Sequence, residues 1–263
     1  MAIMKGAKIA VETCMKLKHE DTVVVVTDSK MVKLAEAFTY AAAYLGAKTV
    51  TTIMEPTKQH AAEPPKPVAE AMKAGDVLLL PTTMSLSHTE ARRAATKQGA
   101  RIASMPTITE HMMSVGGLTA DYKEVAALTK KVGVRMKSAK DVSIRTPSGT
   151  ALNMSIEGRP PLSDTGLYQK PAEWGNLPAG EVFISPKLGA SEGVILFDGS
   201  ITLNKTRVIR KPVKVTVEKG HVTNVEGEKE ANILRDYLHE AGERPYEMVK
   251  KGEMTLDKAK EYS

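Results

Sequence analysis

Cysteine is nearly missing from this chain of 263 residues: Cys14 is the single example. One thiol forms no internal disulfide, and without a CxxC pair there is no cysteine-based zinc site. A reducing, cytoplasmic setting is the expectation. Long apolar runs are also missing. The opening M-A-I-M-K-G-A-K-I-A is not a signal peptide, and no stretch reaches the ~18 apolar residues of a membrane span. The glycosylation-type triplets at Asn153 and Asn204 therefore carry little weight. Aromatics make up only 4% of the chain, while Met occurs 14 times, so Met and Ala are expected to fill gaps that rings fill elsewhere. The net charge is +6 and the pI about 9.2, yet no block of five or six basic residues occurs. With few rings for base stacking, no nucleic-acid partner is expected.

Familiar catalytic signatures are lacking too. There is no G-x-G-x-x-G, Walker loop or H-E-x-x-H. No dinucleotide site is expected, and the first βα turn, at Thr27-Asp28-Ser29, offers no close backbone approach to a pyrophosphate.

What is present is an ordinary globular balance of 42% hydrophobic and 26% charged residues. Ile3, Ala7, Ala10, Cys14 and Leu17 lie at helical spacing and predict an amphipathic opening helix. Val23 to Val26 reads as a strand covered on both faces. A helix over Val32–Leu45, stopped at Gly46, and a strand over Lys48–Met54 complete a β-α-β unit. The alternation continues with a helix at Val68–Lys73, a strand at Asp76–Leu80, a helix at Ser85–Gln98 and a strand at Arg101–Met105. Ser87 with Glu90 reads as a capping box, and Ser87 with His88 as a weaker candidate for holding an anion at the helix start. Ligands on such sheets bind beyond the carboxyl ends of the strands. Here those ends are Thr27-Asp28-Ser29, Glu55-Pro56, Pro81-Thr82-Thr83 and Pro106-Thr107.

After a helix over Asp121–Val132 the period changes. Strands are expected at Val142–Thr146, Ala151–Ile156, Glu181–Ile184, Gly193–Asp198 and Val213–Glu218, with hairpin turns at Thr146–Thr150 and Lys219–His221. A helix at Ala231–Ala241, ended by Gly242, precedes a polar tail with a short helix at Thr255–Tyr262. The fold class is α/β: an open, mostly parallel sheet with helices on both faces over residues 1–132, then a β-rich, mainly antiparallel domain over 133–263.

The stretch that singles itself out is Asn176 to Pro186, N-L-P-A-G-E-V-F-I-S-P. Pro178, Ala179 and Gly180 make a turn, and Val182 to Ile184 reads as a short buried strand. Glu181 sits at the join, where a rigid strand aims a carboxylate. General base work and metal ligation both suit a carboxylate so placed, and so does plain solvation. Glu192 also lies beside a turn. Spacing alone does not choose among these.

Residues 85–106, S-L-S-H-T-E-A-R-R-A-A-T-K-Q-G-A-R-I-A-S-M-P, with N-L-P-A-G-E-V-F at 176–183 and E-G-V-I-L-F-D-G-S-I at 192–201, resemble the leucyl aminopeptidase or aminopeptidase T family of metallopeptidases. The resemblance runs over roughly residues 1–242. It implies removal of N-terminal residues from a peptide substrate by metal-activated water, two divalent ions such as Zn or Co, a homodimer, and Glu181 as a metal ligand. The family's further ligands lie in segments beyond the helix at 231–241, and the sequence ends at Ser263. A fragment, a shortened homologue that lost the chemistry, and a site completed by another chain remain open. Two rival readings use the same scaffold: a non-catalytic binding protein, and a mononuclear-iron ring-cleaving dioxygenase of a related family.

Overall fold

The computed structural model describes residues 2–203 and 206–250. Asn204 and the helix expected at Thr255–Tyr262 lie outside the described residues. The chain divides into two compact units. The first comprises residues up to Arg135 together with Pro161–Phe183; the second holds Met136–Pro160 and the described residues from Ile184 onward. No described helix is long and apolar enough to cross a membrane.

In the first unit α1 (Met4–Lys8) runs directly into a π-helical turn, Ile9–Cys14. Then come β1 (Thr22–Asp28), α2 (Val32–Tyr44), β2 (Lys48–Met54), α3 (Lys66–Ala74), β3 (Val77–Leu80), α4 (Glu90–Lys97), β4 (Arg101–Ser104), α5 (Glu110–Ser114) and α6 (Tyr122–Ser138). The division between the units falls inside α6. The sheet order is β2-β1-β3-β4-β8, every pairing parallel, where β8 is Trp174–Asn176. The valine run explains why β1 is interior. Val23 and Val25 enter the apolar cluster built with α1 and α2, while Val24 and Val26 enter the cluster under α3 and α4. Val77/Leu79 and Leu78/Leu80 of β3 divide the same way. A strand buried on both faces needs no polar alternation, hence its continuous apolar reading.

A buried ion pair sits in this core. The Arg101 guanidinium lies 2.6 Å from Asp21 Oδ2, and both side chains are about nine-tenths buried. Arg101 also donates to Met15 O at 2.6 Å and Lys16 O at 3.2 Å, carbonyls left free where the π turn ends.

In the second unit β5 (Asp141–Arg145), β6 (Ala151–Ser155), β10 (Ser191–Phe197), β13 (Val213–Glu218) and β14 (His221–Glu226) form an antiparallel sheet in the order β14-β13-β10-β6-β5. The strands β7 (Leu162–Asp164) and β9 (Glu181–Phe183) pair with each other in the first unit, and β11 (Ser200–Thr202) pairs with β12 (Thr206–Val208) in the second. The mixed fold class read from the sequence is the one observed: a parallel sheet flanked by helices and an antiparallel sheet in a second unit. Both expected hairpin turns are present, the second with Lys219 and Gly220 at positive φ.

Three local expectations change. The first residue of α4 is Glu90 and its cap is Thr89, whose hydroxyl accepts from Arg92 N; Ser87 is buried before it. The helix N-terminus is filled by Glu63, whose carboxylate accepts from Glu90 N at 2.5 Å and Ala91 N at 3.1 Å. The anion place is thus taken by a side chain of the chain itself. The strand after the Pro178 turn is not buried: β9 has Glu181 and Phe183 exposed and only Val182 half-buried. Finally, α7 (Lys229–Lys250) continues through Gly242, since one helical Gly costs only about 1 kcal/mol relative to Ala.

Candidate functional site

The carboxyl ends of β1 and β3 flank the point where strand order reverses, the place where open α/β sheets receive ligands. In this chain internal hydrogen bonds occupy it. Asp28 is buried and accepts from Thr83 N, from Thr83 Oγ1 at 2.9 Å and from Lys30 N at 3.1 Å. Thr27 Oγ1 donates to Pro81 O at 2.8 Å.

Further along the same edge, β4 and β8 end in a second polar group. Ser87 Oγ lies 2.9 Å from Ser104 Oγ and 3.2 Å from Asn176 Oδ1, and Ser85 Oγ donates to it at 3.0 Å. Arg92 Nε donates to Ser87 O at 2.7 Å, and its guanidinium stacks 3.9 Å from the centre of the Trp174 ring. His88 meets that ring edge-on at 6.2 Å.

Asn176 then leads into the turn that carries Glu181, and the turn is held from several sides. Leu177 N donates to Ser104 O at 2.9 Å, Ala179 N to the Tyr122 hydroxyl at 3.4 Å, and Gly180 N to Asp164 O at 3.1 Å. The Leu177–Pro178 peptide is cis. Gly180 has φ +121°, and a Cβ there would sit 2.8 Å from Val125 Cγ1, so glycine is required on both counts. Tyr168 forms the post behind the turn: its hydroxyl lies 2.5 Å from Asp164 Oδ1 and 2.6 Å from Asn176 O. Asn176 N adds a bond to Asp164 Oδ2 at 3.2 Å. Asp164 is thereby committed to fixing the loop.

Glu181 opens β9 directly opposite Asp164 in the strand register. It is exposed, and among the described residues its carboxylate has no hydrogen-bond or ion-pair partner. A free carboxylate on a turn pinned by Tyr122, Asp164, Tyr168 and Ser104 is a preorganised acceptor. It does not form a metal centre alone: among the described residues no group of three or more His, Cys, Asp or Glu is arranged to hold an ion. Glu192, the other acid beside a turn, lies on β10 in the second unit and accepts from Lys219 N at 2.7 Å. Glu173 is spent on the Gln169 and Lys170 amides. The spacing of the sequence did not reveal the posts Tyr122 and Tyr168. Each is one of seven tyrosines and lies in no recognisable pattern.

Burial perturbs the acids around this turn. It raises the Tyr168 hydroxyl strongly, with nearby Asp164 adding to the effect, and raises Tyr122 as well. Burial also pushes the Cys14 thiol up to about 12. All three belong to one apolar cluster. Each group keeps its proton longer folded than unfolded, so its stabilising effect is complete below its unfolded pKa and fades as pH rises toward the folded one. The guanidinium midpoint of the first unit, followed by fluorescence of Trp174, the sole tryptophan, is therefore expected to fall between about pH 9 and 12. Cys14→Ala is expected to flatten that fall, and an unchanged slope in the variant would contradict the assignment.

Comparison with known proteins corrects the peptidase resemblance. A curated relative from Pseudomonas putida, 2,5-dihydroxypyridine 5,6-dioxygenase, is 27% identical over 172 residues, covering 64% of this chain and 47% of its own length. The chain thus spans about half the length of that curated relative. The solved 2,5-dihydroxypyridine dioxygenase of Pseudomonas putida KT2440 superposes with TM-score 0.72 at 21% identity, over 89% of this chain and 70% of the other. Wild-type AmpT from Thermus thermophilus superposes less closely, with TM-score 0.60 at 16% identity, covering 89% and 73%. At these identities the structural likenesses show the fold alone, a fold common to AmpT and the dioxygenase. The aminopeptidase assignment, and with it the hydrolase and protease reading, is overturned by the family match. The family described as NicX, 2,5-dihydroxypyridine 5,6-dioxygenase, matches residues 4–252, and the chain belongs to it.

Proposed function

We propose that this chain is part of a ring-cleaving dioxygenase that acts on 2,5-dihydroxypyridine or a closely similar dihydroxylated nitrogen heterocycle. The observation that carries the reading is the family match over residues 4–252. The relative's name places the cleaved bond between C5 and C6. Inserting both atoms of one O₂ there leaves C5 as a carboxyl group and C6 as a formyl carbon on nitrogen, and the atoms balance with no further reactant.

Such a reaction calls for a divalent metal, and iron is the ion proposed. The pair of Zn or Co ions expected from the peptidase resemblance has no support. A bound redox-active ion supplies the O₂ activation that side chains lack. Glu181, an exposed and unpartnered carboxylate on the braced turn, is proposed as one of its ligands. The other residues of the turn position Glu181: Tyr168, Asp164 and Asn176 brace the chain before it, and Tyr122 braces Ala179. A homodimer is retained as the proposed assembly, to be read by sedimentation.

The test is oxygen uptake by the purified protein supplied with Fe²⁺ and 2,5-dihydroxypyridine, alongside loss of the ring's ultraviolet absorbance. One O₂ consumed per ring lost is the expected result. Release of a chromophore from an amino-acid anilide with no O₂ uptake would restore the hydrolase reading. Inertness in both assays, with Fe²⁺ bound, would leave a binding protein on the same scaffold.

A further inference from the structure

The paired strands β7 and β9 have two faces of different character. Their register sets Leu162 against Phe183, Ser163 against Val182, and Asp164 against Glu181. Opposed residues share a face, and successive residues alternate. Ser163 and Val182 look toward α6: a Cβ on Gly133 would lie 2.5 Å from Ser163 Oγ and 4.0 Å from Val182 Cγ1. Leu162, Asp164, Glu181 and Phe183 therefore share the other face. Asp164 is used up by Tyr168 and Asn176, but Glu181 is unpartnered, and Leu162 and Phe183 are 57% and 49% exposed.

Phe183 also differs from the other phenylalanines. The chain has three. Phe38 fills the core of the first unit, Phe197 packs against the core of the second, and Phe183 joins neither. Exposing a ring in so aromatic-poor a chain costs hydration and gives nothing back to the fold. Along one strand, alternate residues stand roughly 7 Å apart, about the span of a six-membered ring with its substituents.

We propose that this face is the platform on which the substrate ring lies, with Phe183 and Leu162 against the flat face of a dihydroxylated nitrogen heterocycle and a ring hydroxyl turned to Glu181. The assignment rests on the dioxygenase reading and adds specificity residues to it. Offset stacking suits Phe183 to a planar ring, while a flexible peptide offers it no such surface. The charged carboxylate beside the apolar wall accepts from a hydroxyl hydrogen and fixes the ring's rotation.

The experiment is anaerobic titration calorimetry of 2,5-dihydroxypyridine into the metal-stripped protein, repeated with Phe183→Ala, Phe183→Tyr, Leu162→Ala and, as a control for loss of an exposed apolar side chain, Leu188→Ala. Phe183→Ala is expected to weaken binding about 5- to 10-fold, Phe183→Tyr to stay within about 2-fold, and Leu188→Ala to match wild type. In oxygen uptake, Phe183→Ala should raise KM far more than it lowers kcat. Wild-type ring affinity in Phe183→Ala overturns the platform. A shift of that variant's sedimentation with unchanged ring affinity also overturns it, and assigns the face to a protein contact. Ring binding that depends on Phe183, without O₂ uptake, would sustain the platform while the dioxygenase reading fails. O₂ uptake with unchanged KM in Phe183→Ala would do the reverse.

Discussion

Asp21→Ala is expected to destabilise the first unit by about 3–5 kcal/mol, because it strands the Arg101 guanidinium in the core. Both side chains are about nine-tenths buried. Asp21 Oδ2 also accepts from Lys18 N at 2.6 Å, so the substitution releases the loop before β1 as well. Arg101 would keep the Met15 and Lys16 carbonyls, but two neutral acceptors do not neutralise a buried cation. Denaturant unfolding followed by Trp174 fluorescence reports this unit, since Trp174 lies on β8 of the parallel sheet. The double change Asp21→Leu with Arg101→Met is expected to recover most of the loss, because replacing both charges removes the desolvation penalty along with the attraction. A single Asp21→Ala cost below about 1 kcal/mol would show that solvent reaches the pair.

Glu181→Gln is the change expected to affect activity most. Gln keeps the length and loses the charge. Oxygen uptake is expected to drop about 10³-fold, the equivalent of roughly 4 kcal/mol in the barrier. Bound iron per chain should fall in parallel. Folding should move by no more than about 0.5 kcal/mol, since the side chain is exposed and unpartnered. Activity within a few-fold of wild type, with iron retained, would remove Glu181 from the metal site. A large loss of stability would mean the carboxylate has a structural role that its surroundings do not show.

The likeness to metallopeptidases carries a physical lesson. The segment N-L-P-A-G-E-V-F specifies a tight turn that presents a carboxylate at a strand end. That device serves any reaction needing an anionic ligand in a fixed place. The chemistry depends on the rest of the ligand set and on what binds beside it, and the turn reports neither. AmpT and the dioxygenase share this fold with the chain at 16% and 21% identity, which is how a correct fold came with a wrong activity.

Much of the architecture was determined by the sequence alone. Four consecutive valines admit no solvated face, so β1 had to lie inside a covered sheet. The helices between strands of the first half followed from period and glycine stops, and the change of period announced the antiparallel sheet. Tertiary structure decided the rest. Three-residue strands such as β7, β8 and β9 are too short to show a period, and β8 joins the parallel sheet only through its pairing with β4, about seventy residues earlier in the chain. Ser87 looked like a helix cap because caps are local, but its hydroxyl is drawn to Ser104 and Asn176, and the distant Glu63 takes over the helix end. The meaning of Glu181 was undecided for the same reason. A glutamate in a sequence has a charge and a position. Whether it is solvated, paired or held open for a ligand depends on Tyr122, Asp164 and Tyr168, brought to it by long-range contacts that no local pattern encodes.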